Sequence, residues 1–363
     1  MQPNTQIAMK ENKSSIIERP RLIIAGPCSA ESRKQIVDTA TALAGLGEVD
    51  VLRAGVWKPR TKPGSFEGMG DEALEWLAEA KRLTGLPIAT EVATATHAEK
   101  ALAAGVDVLW IGARTTSNPF SVQEIAEVLG GTEVPVMVKN PMMADAELWI
   151  GAVERLARCG VKHIGLIHRG FVGYDPTSEL RNTPLWQVAL EVRRRLPELP
   201  MICDPSHICG NRRGLREVAQ QAADLNYSGL MIESHSSPER ALSDAEQQVT
   251  PDELHALLGA IVWRNVATDE AACRGELEAL RGAIDRLDDE IFTLIARRME
   301  VSDEIGRLKL RNNLTILQSG RWQEVVERVK GRARTLGLGE ECTSKILDAI
   351  HLESIERQNR IMH

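Results

Sequence analysis

Eight short apolar runs recur along the first two-thirds of the chain. They read LIIAG (22–26), VDVLRAG (49–55), PIATEV (87–92), VLWIGA (108–113), PVMVKN (135–140), HIGLIHR (163–169), MICDPS (201–206) and GLMIES (229–234). Each is apolar or β-branched through its length instead of alternating, which is the pattern of parallel strands buried on both faces. Between them the apolar positions repeat with a helical period, as over 72–83 and 148–159, and Gly85, Gly105 and Gly160 stand where helix C-caps fall. Eight strand–helix units across about 250 residues predict a (β/α)8, or TIM, barrel. An open, doubly wound α/β sheet is the structural rival.

From about residue 266 the pattern changes: strand-like runs and prolines disappear. Leu277, Leu280, Ile284, Leu287, Ile291, Leu294, Ile295, Ile305 and Leu308 keep a three-and-four spacing, which predicts one amphipathic helix. At ~40 residues and 1.5 Å per residue it would run ~60 Å. Two more helices are predicted over 321–335 and 340–362, separated by 311–319 and 336–339. A small all-α unit cannot cover so long a stripe, so a second copy of the chain is expected along it as a homodimer. The predicted organisation is a terminal segment over 1–20, a barrel over 21–265 and a three-helix domain over 266–363. The first segment reads either as a tail or as a cap on the barrel floor, and it is too short for an effector domain.

Composition narrows the functional classes. Of 363 residues, 43% are hydrophobic and 26% charged, as in ordinary soluble proteins. The net charge of −7 argues against nucleic acid as a partner and requires local basic clusters for any anionic ligand. No apolar run reaches the ~18 residues of a membrane span, and Met1 to Pro20 lack the apolar core of a signal peptide. Six cysteines, at 28, 159, 203, 209, 273 and 342, follow no disulfide-framework spacing. A cytoplasmic setting, away from membranes, is expected.

Polar residues gather at the carboxyl end of every run: Cys28; Arg53 with Lys58, Arg60 and Thr61; Thr90 and Glu91; Arg114; Lys139 and Asn140; His168 and Arg169; Asp204 and His207; Glu233 and His235. In a closed barrel these ends share one mouth. Arg53, Lys58, Arg60, Arg114, Lys139 and Arg169 have no obvious carboxylate partners along the chain, and so many cations imply a ligand with several negative charges. Taken singly, each reads equally as a surface charge on a loop. Cys28, His207, Glu233 and Asp244 form a mixed soft and hard donor set for one divalent transition metal, with room for catalysis. Singly, a cysteine is more often inert core, and DPSH could merely end a strand. Cys203, His207 and Cys209 are a rival set, although Cys203 precedes Asp204 and points to the opposite face of its strand. A metal beside such cations would polarise an aldehyde while the cations hold two anionic substrates in register.

AGPCS (25–29), LRAGVWKPRT (52–61), IGAR (111–114), VKNP (138–141), HRG (168–170), DPSH (204–207), IESH (232–235) and SDAEQQ (243–248) resemble the type I-beta branch of the 3-deoxy-D-arabino-heptulosonate 7-phosphate (DAHP) synthases, over residues 20–265. The resemblance implies a metal-dependent transferase of the shikimate pathway that joins phosphoenolpyruvate to erythrose 4-phosphate and releases phosphate. It implies Cys28, His207, Glu233 and Asp244 as ligands of one divalent ion, with Mn2+ favoured and Fe2+, Co2+ and Zn2+ open. It implies Arg53, Lys58, Arg114, Lys139 and Arg169 for phosphoenolpyruvate, Arg60 and Thr61 for the aldose phosphate, and Lys58, Glu91 and Asp204 at the reacting centre. The sister family that makes 3-deoxy-D-manno-octulosonate 8-phosphate from arabinose 5-phosphate typically has a KANR-type segment where this chain has KPRT, which favours the four-carbon aldose.

Residues 272–362, opening LEALRGAIDRLDDEI (277–291), resemble the all-helical chorismate mutases. The resemblance places Arg281, Arg298, Lys309, Arg321, Ser354 and Gln358 in a site for chorismate and prephenate, with Lys309 and Gln358 catalytic and Arg281 supplied by the other subunit. Two carboxylates on the substrate call for arginines, and a pericyclic rearrangement needs no cofactor. Gln318 and Trp322 depart from the family, where aspartate and glutamate are common and the glutamate contacts the substrate hydroxyl. The alternative is a non-catalytic sensor of chorismate or prephenate that mediates feedback control and dimerisation.

Overall fold

The structure is a computed structural model that describes residues 16–58, 66–173 and 178–363. The chain divides into two compact units, Met1–Val266 and Ala267–His363. In the first, β1 (Leu22–Gly26), β2 (Val51–Arg53), β3 (Ile88–Val92), β4 (Val108–Ile111), β5 (Val136–Lys139), β6 (Ile164–His168), β7 (Met201–Cys203) and β8 (Gly229–Glu233) pair in sequence order. All the pairings are parallel, and β1 against β8 closes the barrel, which excludes the open sheet. The helices between strands form the outer layer. Alternate strand residues face them, among them Ile23, Leu52, Leu109, Val138, Leu166, Leu230 and Ile232.

The other face of each strand fills the barrel. Leu22, Ile24, Val51, Val108, Trp110, Met137, Ile167, Ile202 and Met231 pack into one interior cluster, and Ile16 and Ile17 join it. Ile16 and Ile17 therefore form part of the barrel floor. Strands β2 and β7 are shorter than their apolar runs. After Cys203 the chain turns at once, because Asp204 caps the short helix Pro205–Cys209 by accepting from the His207 backbone N–H.

His168 is the last residue of β6, but its ring serves the outer layer. It sits among Trp149, Phe171, Trp186 and Tyr227. Nε2 lies 2.7 Å from the Pro184 carbonyl, and Nδ1 lies 2.9 Å from the Tyr227 hydroxyl. A carbonyl only accepts, so Nε2 carries the proton and Nδ1 accepts from the tyrosine. Burial pushes the imidazole pKa from 6.5 down to about 4. The unfolded chain takes up this proton below 6.5 and the folded one does not until about 4. The stabilisation is therefore full above 6.5 and is lost as pH falls toward 4, a change of roughly 3 kcal/mol. Denaturant midpoints at pH 7.5 and 5 should differ more for the parent protein than for His168→Gln; equal pH slopes would contradict this.

The second unit holds three helices, Ala271–Arg311, Ser319–Thr335 and Glu340–Met362. The second begins two residues before the expected position, at Ser319. The first runs 41 residues, yet only Met299, Ser302 and Gly306 are buried on it. Leu277, Leu280, Ile284, Leu287, Ile291 and Leu294 stand exposed. Across the described residues of the unit, Met299, Ala333 and Leu347 are the buried hydrophobic side chains.

Candidate active sites

Strand ends bring the predicted polar residues into the barrel mouth. Cys28, Glu233 and Asp244 offer ligand atoms that all lie within 4.8 Å of one another. The Cys28 thiol is 3.3 Å from Asp244 Oδ2. His207 stands beside this trio, with Nε2 3.8 Å from Glu233 Oε1, but outside the mutual cluster. Glu233 is fully buried; its Oε2 accepts from Gln247 Nε2 at 2.6 Å, while Oε1 has no aligned hydrogen bond. A thiol and two carboxylates within 4.8 Å of one another, with an imidazole beside them, fit a divalent metal. Burial, with Glu233 alongside, pushes the Cys28 thiol up to about 12; a divalent cation held here favours the thiolate. Although burial disfavours the charge on Asp244, neighbouring Arg181 and His207 outweigh it and hold the carboxyl below its usual range.

The rival metal set does not form. Cys203 and Cys209 pack in the helix-facing core. Of the described residues, the Cys28–Glu233–Asp244 trio is the one cluster with metal-ligand spacing. His235 also turns away, accepting from the Ser237 backbone N–H at 2.8 Å.

The cations correct one sequence expectation. Arg53 lies 3.2 Å from Glu233 Oε1, and Lys139 lies 2.7 Å from Asp204 Oδ2, so two of them do have carboxylate partners. Those partners come from β8 and from the turn after β7, and chain separation hides such pairs. Arg53 is 1% exposed, and its Nε and Nη1 have no hydrogen-bond partner. Buried guanidinium donors left unpaired mark a place for an anion. Lys58 Nζ donates to the Cys28 carbonyl at 2.9 Å. Arg169 donates to Asn182 Oδ1 at 2.8 Å, and burial brings its pKa down to about 10. Arg114 is exposed, on the short helix Ala113–Thr116 after β4. Arg60 and Thr61 lie outside the described residues.

Two carboxylates complete the mouth. Asp204 is fully buried; burial disfavours its charge, but His207 and Lys139 hold it ionised well below the usual range. Its Oδ2 lies 2.8 Å from His207 Nδ1. Glu91 accepts from Trp110 Nε1 at 3.1 Å, and Gly112 leaves the space, since a Cβ there would collide with the Glu91 carboxylate.

Several participants escaped the sequence reading. Trp110 lies under two cations, its ring 4.9 Å from the Arg53 guanidinium and 5.8 Å from Lys139 Nζ. A tryptophan in mid-strand, in a chain only 4% aromatic, was the available signal. Gln247 and Gln248, inside SDAEQQ, bond Glu233 and the Cys28 backbone N–H. Arg181 and Asn182 carry no signal that a single sequence reveals.

In the helical unit, Arg298, Ser302, Lys309, Arg321, Ser354 and Gln358 help line a cavity of about 840 Å³. Arg298 donates to Ser354 Oγ at 2.6 Å, Lys309 to Gln358 Oε1 at 3.2 Å, and Gln358 to Ser302 Oγ at 3.0 Å. Arg321 is exposed and pairs with Glu324 at 2.9 Å. Gln318 and Trp322 are in the same wall, and Trp322 stacks on His351 at 3.6 Å. Arg281 does not line this cavity; it lies 17 residues before Arg298 on one helix, ~25 Å along the axis.

Comparison with known proteins places both units. The sequence model of the DAHP synthetase I family matches residues 5–268, and that of chorismate mutase type II matches 280–359. The phospho-2-dehydro-3-deoxyheptonate aldolase of Thermotoga maritima is 37% identical over 227 residues, covering 62% of this chain and 64% of that protein's length. The 2-dehydro-3-deoxyphosphooctonate aldolase of Methylococcus capsulatus is 31% identical over 262 residues, covering 67% and 88%. The crystal structure of the Thermotoga maritima aldolase superposes with a TM-score of 0.59 at 33% identity, covering 66% of this chain and 67% of that one. A truncated form of the 3-deoxy-D-arabino-heptulosonate 7-phosphate synthase from that organism gives 0.57 at 30% identity, covering 66% and 84%. The chain thus belongs to the DAHP synthetase I family and carries a chorismate mutase type II domain after its barrel.

Proposed function

We propose that the barrel joins phosphoenolpyruvate to erythrose 4-phosphate, takes up one water, and releases DAHP and inorganic phosphate. The observation that carries this reading is Arg53: a buried guanidinium with free donors, held beside the Cys28–Glu233–Asp244 trio. Cys28, His207, Glu233 and Asp244 would hold one divalent ion, with manganese favoured and iron, cobalt and zinc open, and the ion supplies Lewis-acid polarisation of the aldehyde. Arg53, Arg114, Lys139 and Arg169 hold the carboxylate and phosphate of phosphoenolpyruvate. Arg60 and Thr61 are assigned to the aldose phosphate on resemblance alone. Carbon 3 of phosphoenolpyruvate bonds to the aldehyde carbon, and Lys58 Nζ gives a proton to the aldehyde oxygen. Water adds at carbon 2 and loses a proton to Glu91. The bond from carbon 2 to the phosphate oxygen then breaks as the carbon-2 hydroxyl passes its proton to the departing phosphate, leaving the ketone. Asp204 keeps Lys139 and His207 aimed throughout.

The octonate aldolase relative supports a second acceptor, arabinose 5-phosphate. Phosphate release is to be followed with each aldose, with and without chelator. Turnover is expected with erythrose 4-phosphate alone, and only before chelation. Turnover confined to arabinose 5-phosphate would overturn the acceptor, and condensation that survives thorough metal removal would overturn the ligand set.

The helical unit is proposed to rearrange chorismate to prephenate. Arg298 and Arg321 would meet the carboxylates, Ser354 would position Arg298, and Lys309 and Gln358 would stabilise charge developing at the ether oxygen. The exposed stripe from Leu277 to Leu294, on a unit with so little buried apolar surface, supports a homodimer along the first helix. Arg281 would then reach the partner's cavity. Chorismate or prephenate is the proposed feedback effector. Binding of prephenate without chorismate turnover by the purified protein would favour the sensor reading over catalysis. Among the described residues no helix is long and apolar enough to cross a membrane, and the cytoplasm is the proposed location.

A further inference from the structure

Arg181, in the loop after β6, holds one candidate metal ligand directly and reaches a second through a glutamine. Its Nη1 lies 3.0 Å from Asp244 Oδ1 and 3.0 Å from Gln247 Oε1. Gln247 passes the contact on, since its Nε2 donates to Glu233 Oε2. One guanidinium therefore occupies the outward oxygen of Asp244 and, through Gln247, one oxygen of Glu233. Of the remaining oxygens, Asp244 Oδ2 faces the Cys28 thiol, and Glu233 Oε1 lies between His207 Nε2 and the Arg53 guanidinium.

The arginine is itself fixed. Its backbone N–H donates to the Cys209 carbonyl, and the next residue, Asn182, donates from its side chain to the His207 carbonyl at 2.6 Å. The helix that presents His207 thus also anchors Arg181. Its side-chain stem runs over Gly210, where φ is +68° and an added Cβ would come 2.5 Å from Arg181 Cβ. Asp244 has a φ of 46°, a backbone conformation that a non-glycine residue holds only when its surroundings impose it. The bond to Arg181 is one such restraint.

We propose that Arg181 is a positioning residue for the metal, aiming Asp244 directly and Glu233 through Gln247 at one cation. This rests on the metal-site reading given above. A competing role has the opposite sign. If Arg181 only neutralised surplus negative charge among the trio, its removal would tighten cation binding.

Calorimetric titration with Mn2+ of the full chain, first stripped with chelator, distinguishes the two. Arg181→Ala is expected to weaken Mn2+ binding about 10- to 100-fold, the usual cost of losing an outer partner of a ligand. Arg181→Lys, which keeps the charge on a shorter side chain, should recover part of the loss. Gln247→Leu, which cuts only the Glu233 arm, should fall between parent and Arg181→Ala. The thermal midpoint of the stripped Arg181→Ala protein should stay near the parent's, because the side chain is 47% exposed. Unchanged or tighter Mn2+ binding in Arg181→Ala overturns the proposal. A parent protein that binds no Mn2+ overturns the metal site itself, a different and separately readable failure.

Discussion

Glu233→Gln is expected to lower condensation by more than about a hundredfold, beyond the cost of losing an outer partner of a ligand. The substitution keeps shape and removes charge. It takes one carboxylate from the Cys28–Glu233–Asp244 trio and the ion-pair partner from Arg53. A buried charge stripped of its partner typically costs roughly 3–5 kcal/mol, so the barrel should also melt earlier. Added inorganic phosphate should recover part of that stability by pairing with Arg53. Chorismate turnover by the same protein is the internal control, because the helical cavity is lined by residues of the second unit. A variant that keeps more than a tenth of the parent's condensation rate would remove Glu233 from the site.

The second large effect concerns the shared helix. Arg281→Ala and Arg298→Ala should each lower chorismate turnover about 10²- to 10³-fold, the scale seen when one charge-stabilising donor is removed. The two arginines lie ~25 Å apart along one continuous helix. One subunit cannot bring both to one cavity, whereas two antiparallel copies can. Mixing the two inactive variants under conditions that exchange subunits should therefore restore activity. Half of the dimers become mixed and each holds one intact site of two, so recovery approaches about a quarter of the parent rate. No recovery after proven exchange would place Arg281 outside the site, and full activity of Arg281→Ala would do so more simply.

The barrel was legible because parallel strands covered on both faces leave uninterrupted apolar runs, and each run ends where polar residues begin. That rule located Arg53, Lys139, Asp204 and Glu233 within a residue or two of their strand ends. It could not show that Arg53 faces Glu233 or that Lys139 faces Asp204, because each pair joins the ends of strands that are not neighbours in the chain. His168 obeyed the same rule and misled it. The strand alternates faces, so the histidine belongs to the outer aromatic layer while Arg169 enters the mouth. Arg181 sits in a loop whose course depends on Gly210 and Cys209, and no local pattern announces it. In the helical unit the spacing of leucines was plain, whereas the Trp322–His351 stack depends on how two helices cross.

The packed interior beneath the mouth, with Ile16 and Ile17 among its residues, bears on traffic. A filled barrel offers no passage from below, so both reactants and both products share one doorway. Arg53 and Lys139 lie deep in it and Arg114 lies at its rim. A molecule seated on the deep cations must arrive before the doorway is occupied, and it departs only after the outer guest has gone. With the proposed substrates, the site should work as a queue: phosphoenolpyruvate is expected to enter first, and an aldose phosphate that lodges ahead of it is expected to form a dead end, visible as substrate inhibition that rising phosphoenolpyruvate relieves.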